Sequence, residues 1–118
     1  MKNFKELLIW QKGFQIAVNT YQITENFPKS EKWGLGLQIT KAGVSIPSNI
    51  AEGSSRSSAK DYNRFIEISL GSSFELETQL LISKAQNMGR HELIEQTLLL
   101  LTEEEKMLIS FSKTLRFK

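Results

Sequence analysis

Apolar side chains recur at steps of three and four along most of this 118-residue chain, rather than alternating with polar ones as a half-buried strand would require. That periodicity limits the chain to packed helices. Its two prolines, Pro28 and Pro47, and its clusters of glycine and serine divide the pattern into four segments. The spacing therefore predicts an all-α fold of four helices sharing one core. The length suits a single domain over residues 1–118, and no internal repeat, low-complexity tract or linker interrupts it.

The first predicted helix spans about residues 4–26. Asn3 and Glu6 are spaced as an N-terminal cap, and Phe27-Pro28 stops the helix because a residue before proline is pushed out of the α region. It carries two apolar stripes, one of Leu7, Trp10, Phe14, Ala17 and Tyr21 and one of Ile9, Ile16 and Ile23. Either one of the two stripes faces a neighbouring subunit, or both belong to one broad buried face. The second helix is predicted from a cap at Ser30 to about Glu52. Pro47 lies inside it, so a kink between Gly43 and Ser48, or a short break, is expected. Ser58-Ala59-Lys60-Asp61 reads as a capping box opening a third helix of about 30 residues, roughly 45 Å at 1.5 Å per residue, stopped by Gly89. The fourth runs continuously over about residues 92–115.

Composition excludes several functions. Without cysteine there are no disulfides, thiolate metal sites or thiol catalysis, and one histidine, His91, gives little for a metal centre or an acid–base pair. No metal or other cofactor is expected. No apolar run approaches the roughly 18 residues of a membrane span, so the expectation is a cytoplasmic protein with no membrane partner. The net charge of +2 is too small to imply nucleic-acid binding. Its distribution says more: residues 1–64 hold nine basic and five acidic side chains, and residues 65–118 hold six and eight.

Val44-Ser45-Ile46-Pro47-Ser48-Asn49-Ile50-Ala51-Glu52-Gly53, followed by Arg56, Ser58, Tyr62 and Phe65, resembles the signature of the four helix bundle family whose genes occur as intervening sequences in 23S rRNA genes. The accessory variability protein of diversity-generating retroelements is similar. Trp10-Gln11-Lys12, Phe27-Pro28 with Trp33-Gly34-Leu35, and residues 71–78 fit the same pattern in the same order. The resemblance implies a left-handed up-down-up-down bundle, whose second helix Pro47 is expected to kink, commonly assembled as a homopentamer around a central channel. In the retroelement relative it implies a basic surface that binds nucleic acid and a reverse transcriptase. Where many relatives carry two adjacent basic residues before the Val-Ser-Ile-Pro stretch, this chain has only Lys41, in Thr40-Lys41-Ala42-Gly43.

Among candidate sites, Lys41, Arg56, Lys60 and Arg64 form the best basic cluster. The last three recur every four residues, a spacing that places them on one helix face and could track phosphates, with Lys12 extending the row. The competing reading is a solvated face partnered by Glu52, Asp61 or Glu67. Ser45, Pro47, Ser48, Asn49, Glu52 and Gly53 read either as a ligand site or as a structural corner whose polar groups serve the backbone around the proline; the structural corner is preferred.

Trp10 and Tyr62 lie on apolar stripes and read as core, whereas Trp33 is the surface aromatic. Gly34-Leu35-Gly36 lacks the strand and third glycine of a phosphate loop. Ser69, Ser72 and Ser73 with Glu75 have no histidine or lysine to activate a hydroxyl, Glu75 and Glu77 point in different directions on a helix, and Glu103-Glu104-Glu105 reads as solvated surface. Arg90 next to His91 lacks the spacing of an all-α ribonuclease.

These readings converge on a non-enzymatic oligomeric helical-bundle adaptor, most simply a homopentamer, that binds RNA or DNA weakly and without sequence preference through its basic surface. The alternative is a scaffold that docks an unidentified protein on its apolar stripes and binds no nucleic acid.

Overall fold

Asn3 accepts a hydrogen bond from the Lys5 amide at 3.1 Å, which caps a 3-10 turn over Phe4–Glu6. The computed structural model describes residues 3–118. Four long helices follow, α1 (Leu8–Glu25), α3 (Leu35–Ser54), α4 (Ala59–Ala85) and α5 (His91–Arg116), with a single turn, α2 (Lys29–Lys32), between the first two. No strand occurs among the described residues.

The contacts between helices set their directions. Residues 13 and 24 of α1 meet residues 46 and 36 of α3. Ser45 meets Ser72 and Ile46 meets Ser69 between α3 and α4. Asn63 and Lys84 meet Ser112 and Glu95 between α4 and α5, and Lys12 and Asn19 meet Glu103 and Thr97 between α1 and α5. In every pair one number rises as the other falls, so the bundle is up-down-up-down. The 27 residues of α4 reach about 40 Å, close to the long dimension of a molecule measuring 46 × 21 × 20 Å. All four long helices therefore lie along one axis.

The core they enclose is rich in isoleucine. Ile16, Ile23, Ile39, Ile46, Ile50 and Ile66 are fully buried with Leu76, Leu80, Leu101 and Leu108, each contributing roughly 1.5–3 kcal/mol by leaving water. Trp10 and Tyr62 pack on this core at its edge. Three small polar residues complete the inner face of α4, where Ser69, Ser73 and Ser83 donate to the backbone carbonyls of Ile46, Leu70 and Met88. Short side chains there let neighbouring helices approach closely.

Local signals explain most boundaries. Ser58 accepts from the Asp61 amide at 3.1 Å and starts α4 as its spacing predicts. Asn87 and Gly89, with φ of 54° and 83°, turn the chain into α5, which is one continuous helix. The second predicted helix is where the sequence reading needs correction. Ser30 does not cap a helix running to Glu52. The chain makes the short α2, breaks at Trp33–Gly34, where Gly34 has ψ of −106°, and restarts at Leu35. Two glycines within three residues lower helix propensity enough to place the break there rather than at Pro47. Through Pro47 itself α3 is unbroken.

Candidate functional site

Around Pro47 the polar side chains are directed at backbone and at one another. The hydroxyls of Ser45 and Ser72 lie 2.7 Å apart across α3 and α4, and the Asn49 amide donates to the Ser45 carbonyl and hydroxyl at 2.8 and 2.9 Å. Ser48 is exposed. Gly53 is pressed beneath α4 so closely that a Cβ would stand 2.8 Å from Cβ of Phe65 and 2.9 Å from the Tyr62 ring. Only glycine lets the two helices meet here.

The five basic candidates divide into paired and free. Arg56 donates to Glu52 at 2.9 Å and lies over the Phe65 ring at 4.7 Å. It stands in the connection before Ala59, so it does not share a helix face with Lys60 and Arg64 as its spacing suggested. Lys12 bonds Glu103 on α5 at 2.6 Å and is turned toward a different seam of the bundle. Lys41, Lys60 and Arg64 are exposed and make no ion pair among the described residues. Lys41 shares a shallow cavity with Ser45, Ser72 and Glu75. Counted from the Ser45–Ser72 contact, Lys41 lies four residues toward one end of the bundle and Arg64 eight residues toward the other, about 18 Å apart along the axis.

At the adjacent end of the bundle a cavity of about 580 Å³ brings Arg56 and Lys118 together with the serines of the α3–α4 connection, above the tilted pair of Tyr62 and Phe111. Arg56 therefore faces the hydroxyl-rich start of α4.

A second surface is apolar. On α1 the isoleucine stripe is interior, whereas Phe14 and Tyr21 remain 50% and 60% exposed. Trp10, Phe14, Val18 and Tyr21 line a groove of about 370 Å³ with Val44, Pro47 and Ala51 of α3. Tyr21 also borders a second hollow of about 490 Å³ with Leu37 and Trp33, the latter 83% exposed. The α4 helix presents Ile68, Phe74, Leu81 and Ile82 to solvent around Gly71, over which a Cβ would meet nothing.

The acidic run on α5 requires the second correction. Glu103 is exposed, but Glu104 is completely buried and Glu105 is partly buried. A signal was present: Ile94, Thr97, Leu101, Glu104 and Leu108 continue one helical register, so Glu104 occupies a core position. Burial pushes its carboxyl up to about 8, against the lowering charge of Lys12, and burial together with the Glu77 carboxyl pushes Glu105 up to about 8.

Among the described residues there is no group of three or more side chains suited to hold a metal ion, and no helix is long and apolar enough to cross a membrane. No curated protein matches the chain. A crystal structure of a protein of unknown function from the S23 ribosomal protein family of Bacteroides thetaiotaomicron superposes with a TM-score of 0.81 at 26% identity, covering 90% of this chain and 96% of that one. The model of the 23S rRNA-intervening sequence protein family matches residues 5–110. On that match, supported by the up-down-up-down helices, the chain belongs to the 23S rRNA-intervening sequence protein family.

Proposed function

We propose that this protein is a non-enzymatic helical-bundle adaptor that works as a homo-oligomer. The observation that carries this reading is the aromatic stripe of α1, with Phe14 and Tyr21 half exposed along a groove shared with α3. Large aromatic side chains aligned on one face gain most from burial against a partner, and contiguous apolar surface of this kind marks association sites. The exposed face of α4 offers a second apolar surface, and a head-to-tail contact between unlike faces builds a ring when the rotation between copies closes. A homopentamer is the form proposed from the family resemblance. Sedimentation velocity on wild type and Phe14→Glu tests this: assembly lost in the variant, with helicity unchanged, is the expected result. An unchanged oligomer would remove this face from the interface, and a monomeric wild type at micromolar concentration would remove the oligomer itself.

Nucleic acid as the ligand is a second reading, favoured by three exposed cations, Lys41, Lys60 and Arg64, the last two in the opening turns of α4 beside the serine- and arginine-lined corner. One such patch is modest, but repetition around an assembly makes it multivalent for a long polyanion. Binding of labelled single- and double-stranded RNA and DNA should weaken steeply with salt. It should fall at least about tenfold in the double variant Lys60→Glu, Arg64→Glu, a loss of about 1.4 kcal/mol. Absence of binding at low salt in an assembled protein would leave a protein partner as the ligand of the adaptor.

A further inference from the structure

Glu104 stands where the register of α5 calls for an apolar residue, between Leu101 and Leu108, and is 0% exposed. Neither carboxyl oxygen has a hydrogen-bond partner. Oε2 lies against Gly13 of α1, where a Cβ would come within 2.9 Å of it, and the Ile46–Pro47 turn of α3 walls the same space. Proline has no N–H to offer there. Lys12 of α1 is the nearest cation, but its ammonium is bonded to Glu103. One position further along α5, Glu105 faces Glu77 of α4. At this one level, α5 therefore meets α1 and α3 through one carboxyl and α4 through another.

An ionised carboxylate in such surroundings loses its hydration without gaining donors, a cost far larger than that of the neutral acid. The neutral acid packs as a polar glutamine would. Glu105 in its neutral form can donate to Glu77, and in its ionised form it opposes a like charge. At residues 104 and 105 the two seams of α5 thus depend on protons, beside the Lys12–Glu103 pair on α1 and the Lys84–Glu95 pair further along α4.

We propose that Glu104 and Glu105 form a proton-operated latch on α5, closed while both carboxyls are neutral and loosened when they ionise. Deprotonation draws water into the seams around residues 101–108 and frees the middle of α5 from α1 and α4. The direction follows from linkage. A carboxyl ordinarily near 4.5 that is pushed up to about 8 by folding makes the folded chain bind more protons than the unfolded one between those values. Its stabilising effect is complete below 4.5 and is lost as pH rises toward about 8. The latch lies inside one chain and does not depend on assembly or on any ligand.

Carbon-13 NMR of the full chain with labelled glutamate side chains tests the titration directly. Two carboxyl resonances should move near pH 8, one disappearing in Glu104→Gln and the other in Glu105→Gln. If every glutamate titrates below about pH 6, the latch is overturned. Urea midpoints between about pH 5 and pH 9 test the consequence. The wild-type midpoint should fall across this range, and Glu104→Gln should remove about half of the fall, Glu105 accounting for the rest. An undiminished fall in that variant would also overturn the proposal. Should Glu104→Gln fail to fold, hydrogen exchange of the wild type decides. After correction for intrinsic base catalysis, amides at 101–108 should lose protection between about pH 7 and pH 9 ahead of those in α3, and uniform behaviour counts against the latch.

Discussion

Two polar runs, Ser45–Gly53 on α3 and Glu103–Glu105 on α5, are solved in opposite ways. On α3 the Ser45 hydroxyl and the Asn49 amide are satisfied within the bundle, where Ser45 meets Ser72, Asn49 returns to Ser45, and Ser69 reaches the Ile46 carbonyl. Polar character there braces a proline-containing helix against its neighbour. On α5 one carboxyl is enclosed with no partner for either oxygen. The first run is rigid because its groups are matched, and the second is sensitive to conditions because its groups are not. A list of polar residues cannot separate the two cases. The difference lies in whether donors from another helix stand opposite.

The contrast can be pushed hardest at Glu104. Raising pH from about 4.5 to 7 should cost the wild type up to about 3 kcal/mol through this one group, at 1.36 kcal/mol per unit of pH across the shifted range. Glu104→Gln should remove that dependence, read from urea unfolding at the two pH values. At the corner the lever is steric instead. Gly53→Ala forces a methyl group onto Phe65 and Tyr62, and a loss of about 2 kcal/mol is expected at every pH, seen as a lower urea midpoint with an unchanged slope. The smallest effect belongs to Arg56→Ala. Its pair with Glu52 is half exposed, so stability should fall by no more than about 0.5 kcal/mol in thermal unfolding. Should Arg56→Ala exceed Gly53→Ala, the corner would be held by charge rather than by fit.

Much of the fold was legible in the residues. Ser58 and Asp61 announce the start of α4, Phe27-Pro28 closes α1, and the isoleucine stripe of α1 is core. Each is a local effect, set by backbone chemistry within one or two turns. The break at Trp33–Gly34 carried a signal too, in two nearby glycines, but it competed with a plausible cap at Ser30. The candidate basic surface was less legible. Spacing placed Arg56 in line with Lys60 and Arg64, yet helix spacing applies only inside a helix, and Arg56 precedes one. Spacing alone also could not tell that Lys12 is held by Glu103, a residue 91 positions away.

By itself, then, the sequence determined the helices, the inner face of α1, the start of α4 and the family, because periodicity and capping act over a few residues. The tertiary structure alone decided which charges are free, that Phe14 and Tyr21 of α1 stay half exposed, and that a glutamate fills a core position beside Gly13. Those outcomes depend on what a different helix places opposite each side chain, and desolvation and pairing act through space between residues far apart in the chain.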